Sequence, residues 1–584
     1  MNSYAFVINH RYWGHMKQNL TTACLAAIFI LPPLPAFAAG GAESMDRPSA
    51  HQTLLPDYAP DKPSEDFVLP PVPKAVESKN TLADQRVLFI RHIAIEGGSV
   101  FSEADWRVLL QPYEARNNTL SELEELRQKL TQHYIDSGYV NSGAVIPADA
   151  YKNGELRIIM VEGRLDEVRI KGQERLREGY IKNRLLPHPD EPFNLRDLQE
   201  RYQTLLSDPL ISRMNGRILP GASPGHGILD VDVSRAKPYQ LSLLGNNQRP
   251  PSIGAEAFGV NGVVRNLTGL GDAVDFTFFT SEGSERYAGG FNVPVSDWGT
   301  SAFFHFDEGD SMVLEQPIKK LEIKSLVHSL EGGFSHPVIN SLHQRLNLGV
   351  LLAVRENETS LLNQPFSFIP GEATGRNQAT VLRLFQDYLL RGERQALALR
   401  STESVGLDAL GASYAKQNHY PSSDFYAWLG QAQYAHQFFD DGSQLVLRGN
   451  AQFSNKPLLP LERISVGGMY TVRGYRENYL VRDEGYSLSA EYHYPLLGGV
   501  GPNEPYRLSL VPFSDFGEAW NHYTLDDPSG RPTTIASVGA GLDMQVKALH
   551  GELYYGYALY RRDLQKTGDL QDNGVHFQMR LDLF

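Results

Sequence analysis

From Tyr239 to Phe584, apolar and polar residues alternate in short runs separated by turn formers. Ala396-Leu397-Ala398-Leu399-Arg400, Tyr426-Ala427-Trp428-Leu429-Gly430-Gln431-Ala432-Gln433-Tyr434 and Ser487-Leu488-Ser489-Ala490-Glu491-Tyr492 show this, as do Leu445 and Leu447. A period of two places successive side chains on opposite faces of a strand. One apolar and one polar face, with aromatic residues near run ends at Phe438-Phe439 and Tyr554-Tyr555, is the pattern of a barrel with lipid outside and water inside. The 584 − 238 = 346 residues of this region give roughly sixteen antiparallel strands at about 22 residues per strand and connection. The alternative is a soluble β-sandwich or propeller. The length of the region and the lack of a blade repeat weigh against it.

Upstream the period changes. Val87-Leu88-Phe89-Ile90 and Ile93-Ala94-Ile95 read as strands ending at Gly97-Gly98. Ser102 can cap a short helix running to Leu110, and Thr119 with Glu122 forms a capping box for a second. Leu123, Leu126, Leu130 and Tyr134 recur at helical spacing until Gly138. Ser142 to Ile146 and Leu156 to Val161 then read as a hairpin, with a turn at Asn153-Gly154. The order repeats from Gly163 to Arg235. Val168-Arg169-Ile170-Lys171-Gly172 echoes Ile93 to Gly97, Asn194 caps a helix with Leu195, Leu198, Tyr202 and Leu205, and Arg217 to Leu219 and Ile228 to Val233 close the unit. A repeat of this size means two copies of one βααββ module, whose leucine stripes form a core against a sheet.

Composition narrows the setting. Charged residues are 21% and hydrophobic residues 41%, so the chain is not a disordered one. A net charge of −14 without a basic cluster argues against a nucleic-acid partner. Arg11 and Lys17, an apolar run from Leu20 to Leu34, and Ala36-Phe37-Ala38 make a signal peptide over 1–38, cut after Ala38. Removing its two basic residues gives −14 − 2 = −16. The chain's 1 cysteine, Cys24, lies inside that leader, so no disulfide is expected. Residues 39–86 carry Pro48, Pro56, Pro60, Pro63, Pro70, Pro71 and Pro73 and read as an extended linker, with room for a plug segment and a short helix near Ala50 to Leu55. Beyond the leader no stretch reaches about 18 apolar residues, so a membrane span would have to be a closed barrel.

Catalytic motifs do not emerge. The 17 histidines include no HExxH and no zinc spacing. The informative stretch is instead Val466-Gly467-Gly468-Met469-Tyr470-Thr471-Val472-Arg473-Gly474-Tyr475-Arg476. Its glycines allow tight turns, and its Arg473 stays charged and needs an acceptor or water. Val472-Arg473-Gly474-Tyr475 resembles the hairpin-tip signature of a protein-transporting barrel superfamily. Phe513-Ser514-Asp515-Phe516-Gly517 resembles that family's inner-wall motif, F-x-D-x-G, and Asn266-Leu267 with Gly269-Leu270-Gly271-Asp272 its early hairpin. The repeated modules resemble polypeptide-transport-associated (POTRA) domains through Val161-Glu162-Gly163-Arg164, Arg217-Ile218-Leu219-Pro220-Gly221 and Pro224-Gly225. The C-terminal Phe584 is the residue outer-membrane barrels usually present to their assembly machine. Its apolar row, 575, 577, 579, 581 and 583, runs one residue out of step with Phe584.

The chain thus resembles the outer-membrane transporters of two-partner secretion, the haemolysin secretion/activation family. The resemblance implies an all-β transmembrane barrel of roughly 16 antiparallel strands (237–584) preceded by two periplasmic α+β modules (87–162 and 163–236). It implies a non-enzymatic pore, without cofactor or metal, that exports one large exoprotein: an adhesin, haemolysin or toxin. It also implies outer-membrane lipid around the barrel and barrel-assembly machinery as a partner during biogenesis. Within the pore, Val472, Arg473, Gly474 and Tyr475 would form a loop tip folded back into the lumen, with Arg473 reaching Asp515 beside Phe513 and Gly517. The alternatives are a barrel-assembly or lipid-transport factor of the same superfamily, and a passive porin.

Overall fold

The computed structural model describes residues 87–584 apart from 187, 189, 224, 370, 371, 373, 416–419, 499–505, 523–529 and 561–567. The leader, the linker with its 50–55 segment, and Pro224 lie outside the described residues.

The first module packs the helices Glu103–Leu110 and Leu120–Asp136 on a sheet in which His92–Glu96 runs parallel to Glu155–Val161, with Gly143–Val145 antiparallel on the far side of Glu155–Val161. Both helices start in capping boxes, at Ser102 with Asp105 and at Thr119 with Glu122. Leu123, Leu126, Leu130 and Tyr134 are buried against Ile93, Leu156 and Ile158. Two features differ from the sequence reading. Arg116–Thr119 forms a strand that pairs with Val87–Ile90; its polar Arg-Asn-Asn-Thr sequence gives no apolar signal. The Asn153-Gly154 turn joins Glu155–Val161 to the short strand Tyr151–Lys152 instead of directly to Gly143–Val145.

The second module repeats the plan. Its sheet carries Arg164–Lys171 parallel to His226–Arg235, which pairs antiparallel with Ile211–Pro220. Its core joins Leu198, Tyr202 and Leu205 to Met214, Leu229 and Val231. The repeated βααββ order calls for two helices here, of which the sequence reading placed only the one after Asn194; the other is Glu178–Leu185. Only Ile181 and Leu185 of its residues are buried, and Arg177 caps it without a side-chain bond.

Of the residues that resembled a family motif, Val161, Gly163 and Gly225 lie at the junction of the modules. A Cβ on Gly163 would collide with Asn141, whose amide donates to Gly225 O at 2.7 Å. Glu162 turns back into the first module and accepts from Ser99 Oγ (2.7 Å), Val100 N (2.9 Å) and Tyr134 Oη (3.1 Å). Burial works against its charge, but these donors outweigh burial and hold its carboxyl below the usual glutamate range.

Among the described residues, sixteen long strands close into an antiparallel barrel. In chain order they are β1 Tyr239–Asn246, β2 Ala257–Arg265, β3 Ala273–Thr280, β4 Ser284–Pro294, β5 Ser301–Met312, β6 Lys324–Asn340, β7 Gln344–Leu361, β8 Arg376–Arg391, β9 Gln395–Leu407, β10 Tyr426–Gln437, β11 Gln444–Ser454, β12 Glu484–Gly498, β13 Tyr506–Trp520, β14 Thr533–Val546, β15 Leu549–Ala558 and β16 Val575–Asp582. Ser242 to Asn246 of β1 pair with Asp582 to Gln578 of β16 and close the ring. The alternation sorts as it should: Leu488, Leu542, Leu553, Tyr555 and Met579 face outward, while Ser489, Glu491, Asp515, Ser537 and His576 are buried inside. Phe438 and Phe439 lie exposed just past the end of β10. Tyr554 departs from the girdle expectation, since it points into the lumen.

The turn Asn266 to Asp272 joins β2 to β3 and seats the second module. Its Gly269 O accepts from Arg177 N at 3.0 Å, Leu267 O accepts from Arg175 Nη2 at 3.0 Å, and a Cβ on Gly271 would strike the Tyr180 ring.

Candidate functional site

The connection between β11 and β12, residues 455–483, enters the barrel instead of arching over it. Within it Ile464–Val466 and Leu480–Arg482 pair as a small antiparallel hairpin. Ile464, Val466, Val472, Tyr475 and Leu480 bury one face against Ala519 and Ile535 of the wall. The loop therefore has its own apolar attachment, and the Val-Arg-Gly-Tyr tip is carried to the inner surface of β12–β16.

Arg473 is 2% exposed. Its Nε donates to Asp515 Oδ2 at 2.8 Å, its Nη2 to Asp515 Oδ1 at 2.7 Å, and its backbone N to Oδ2 at 3.0 Å. This is a planar two-point match between guanidinium and carboxylate. Nη2 also donates to Ser489 Oγ at 2.9 Å, and Nη1 lies 2.7 Å from Glu491 Oε1. The rings of Phe513 and Tyr554 lie over the guanidinium carbon, with centroids at 3.7 and 4.8 Å, where the negative face of a ring attracts a cation. Glu491 is shared with Arg448 of β11 and with His493 Nε2 at 3.0 Å. The charges are thus compensated without bulk water.

The residues around Arg473 make room for it. A Cβ on Gly517 would lie 2.5 Å from Val466 Cγ1 and 2.9 Å from Val472 Cγ2; only glycine on β13 lets the loop's valines reach the wall. Gly474 has φ +87°, and its N donates to His576 Nε2 at 3.1 Å. A Cβ there would lie 2.7 Å from Gly556 O of β15. The Tyr475 hydroxyl donates to Tyr560 O (2.9 Å) or Ala536 O (3.1 Å) and accepts from Tyr560 N (3.2 Å).

All seven candidate residues, Val472, Arg473, Gly474, Tyr475, Phe513, Asp515 and Gly517, meet at one place. Sequence reasoning missed Glu491, Ser489, Tyr554 and His576. Ser489 and Glu491 sat in a run already recognised as a strand. Their signal was two polar residues on the inner row, with Ser489 in register with Asp515. The arrangement contains no nucleophile with a base; its chemistry is that of a clamp that holds a loop across a pore.

Comparison with known proteins agrees in both parts of the chain. Residues 225–544 match the family model described as "Haemolysin secretion/activation protein ShlB/FhaC/HecB", and residues 88–163 match "POTRA domain, ShlB-type". The outer membrane transporter CdiB of Dickeya dadantii is 23% identical over 478 residues, covering 77% of this chain and 79% of that protein. The heme/hemopexin transporter protein HuxB of Haemophilus influenzae is 22% identical over 453 residues, covering 74% and 76%. The solved structure of CdiB from Escherichia coli superposes with a TM-score of 0.67 at 19% identity, over 88% of this chain and 92% of that one, and so has the same fold.

Proposed function

The chain belongs to the haemolysin secretion/activation family of ShlB/FhaC/HecB type, and from that premise we propose that it carries one large exoprotein through its barrel to the cell surface while the Arg473 clamp keeps the idle pore shut. It is an outer-membrane transporter of two-partner secretion with its modules in the periplasm. The client, an adhesin, haemolysin or toxin, is taken up by the modules. In the first module a groove of about 390 Å³ lies between the helix Leu120–Asp136 and the edge strand Gly143–Val145, lined by Arg127, Thr131, Val140 and Ala144. An extended segment can add to such an edge through backbone hydrogen bonds, with little demand on its sequence.

The single observation that carries the reading is the loop buried across the lumen. A passive porin keeps an open aqueous channel, whereas here the loop tip is bonded to the inner wall by Arg473. Folding of the client outside the cell supplies the drive, since no nucleotide is hydrolysed in the periplasm. Outer-membrane lipid against the outward apolar rows, and barrel-assembly machinery during insertion, complete the partners.

The test is a pull-down from periplasmic extract with residues Arg86 to Lys237 as bait. One very large exported protein, held through its N-terminal region, is the expected result. A mixture of unfolded barrel precursors would instead make the chain an assembly factor and overturn the one-client reading.

A further inference from the structure

The same loop has a second anchorage, on the other side of the barrel. After β11 the chain does not go straight to the Arg473 wall. Leu458 and Leu459 first pack with Ala379 and Val381 of β8 and Phe425 and Ala427 near β10. Glu462 then meets two inward arginines: its Oε2 lies 2.7 Å from Arg383 Nη2, and its Oε1 3.6 Å from Arg355 Nη1. Both arginines also reach Glu331 of β6, at 2.6 Å from Arg355 Nη2 and 3.3 Å from Arg383 Nη1. The network balances two cations against two carboxylates, and removal of Glu462 would leave two buried arginines sharing Glu331. Strand β7 and strand β15 are eight places apart in a ring of sixteen, so the loop is a crossbar fastened to opposite walls.

The two fastenings differ in kind. The root, Leu458 to Arg463, is held by apolar packing, by the four-charge network, and by Asp483 at the loop's other end. Asp483 is fully buried; its Oδ1 accepts from Leu458 N at 2.9 Å and Arg463 Nε at 3.1 Å. Gln452 of β11 adds bonds to Glu462 O (2.9 Å) and Asp483 O (3.1 Å). The root is therefore continuous with both flanking strands. The tip lies beyond a hairpin paired only at Ile464 to Val466 with Arg482 to Leu480. Its turn carries Gly467, Gly468 and Gly474 at positive φ, and it is held ionically by Arg473 on the wall and by Arg476, 3.0 Å from Glu315 and 2.5 Å from Asp572.

We propose that Glu462, with Arg355 and Arg383, is the fixed pivot of the loop: the tip swings off β12–β16 while the root stays on β6–β8, and the client passes along the vacated β12–β16 wall. This rests on the export reading above, and it adds which part moves and where the path runs. Clearing the lumen by removing the whole loop would break the root network and its apolar cluster together. Swinging the tip breaks the Arg473 contacts, the Arg476 pairs with Glu315 and Asp572 and the tip's packing, and leaves the root network whole.

The experiment pins each end in turn in the full-length protein. Arg383→Cys with Glu462→Cys, bridged by a short bis-maleimide, fixes the root; Arg355→Cys with Glu462→Cys is the second root pair. Tyr470→Cys with Gln578→Cys, whose native side chains meet at 2.7 Å, is bridged by a disulfide-containing bis-maleimide and pins the tip reducibly. Expected are full open conductance in planar bilayers and parental secretion with the root bridged, and loss of both with the tip pinned, restored on reduction. Loss of conductance on bridging either root pair, or full conductance with the tip pinned, would overturn the pivot. Conductance needs no client, so a parent chain that conducts but exports nothing would sink the export reading and leave the pivot result standing.

Discussion

Arg473 is a cation in a cavity, and its neighbours are explained by that fact. Asp515 and Glu491 supply charge, Ser489 a hydroxyl, and Phe513 and Tyr554 the faces of two rings. Removing one member of a buried ion pair costs about 3–5 kcal/mol, because the partner stays buried without compensation. Arg473→Ala should therefore release the loop tip and abolish client secretion, while the barrel still inserts and keeps its heat-modifiable mobility on a gel. Normal secretion by this variant would show that the clamp is dispensable. The pairing was legible because two short motifs, Val472-Arg473-Gly474-Tyr475 and Phe513-Ser514-Asp515-Phe516-Gly517, resemble those of a family in which the loop-tip arginine reaches the strand aspartate, and a charge in a narrow lumen needs such a partner. Tyr554 was not legible as a partner: beside Tyr555 it looked like a girdle residue, and only the strand's facing direction tells the two apart.

At the scale of elements, helices and strands followed from period and caps, and the exceptions share a cause. Arg116–Thr119 and the helix Glu178–Leu185 have little apolar signal and depend on what they touch. The first pairs with Val87–Ile90. The second packs its half-buried Tyr180 against the early barrel turn and donates from Tyr180 Oη to Asp208 Oδ2 at 2.7 Å. That turn is a socket, so Gly271→Val should unseat the second module without opening the barrel. The measurement is tryptic cleavage at Arg235, whose Nε now donates to Leu210 O at 3.2 Å. Faster cleavage with an unchanged folded-barrel band is expected, and unchanged cleavage would mean that the module is held elsewhere.

For the whole molecule, the ring is weakest where it closes. The β1–β16 register runs from Ser242 to Asn246, with further backbone bonds from Leu241 to Leu583 and Phe584 and from Asn247 to Phe577, and is still short against the long ladder of β6 with β7. Each missing pair removes backbone bonds that have no substitute in a bilayer. A disulfide between Leu244→Cys and Arg580→Cys, which are register partners, should raise the temperature at which the folded band converts to the unfolded one. The control, Leu542→Cys with Leu553→Cys between β14 and β15, should raise it less. Equal shifts would place the first break elsewhere. The chain's single cysteine, Cys24, lies outside the barrel and leaves both pairs clean.

By itself the sequence determined the architecture and the central ion pair. A period of two over some 346 residues allows one face for lipid and one for water, a repeated βααββ order allows two modules, and Arg473 needed an acid, which the motif resemblance placed at Asp515. The tertiary structure alone decided where the loop is fastened a second time. Glu331, Arg355, Arg383 and Glu462 are scattered over 132 positions from 331 to 462 (462 − 331 + 1), each an ordinary charge on its strand or loop. They become a network because barrel closure and the inward path of one loop bring them together. A local pattern encodes which face a side chain takes, but not which distant side chain it meets there.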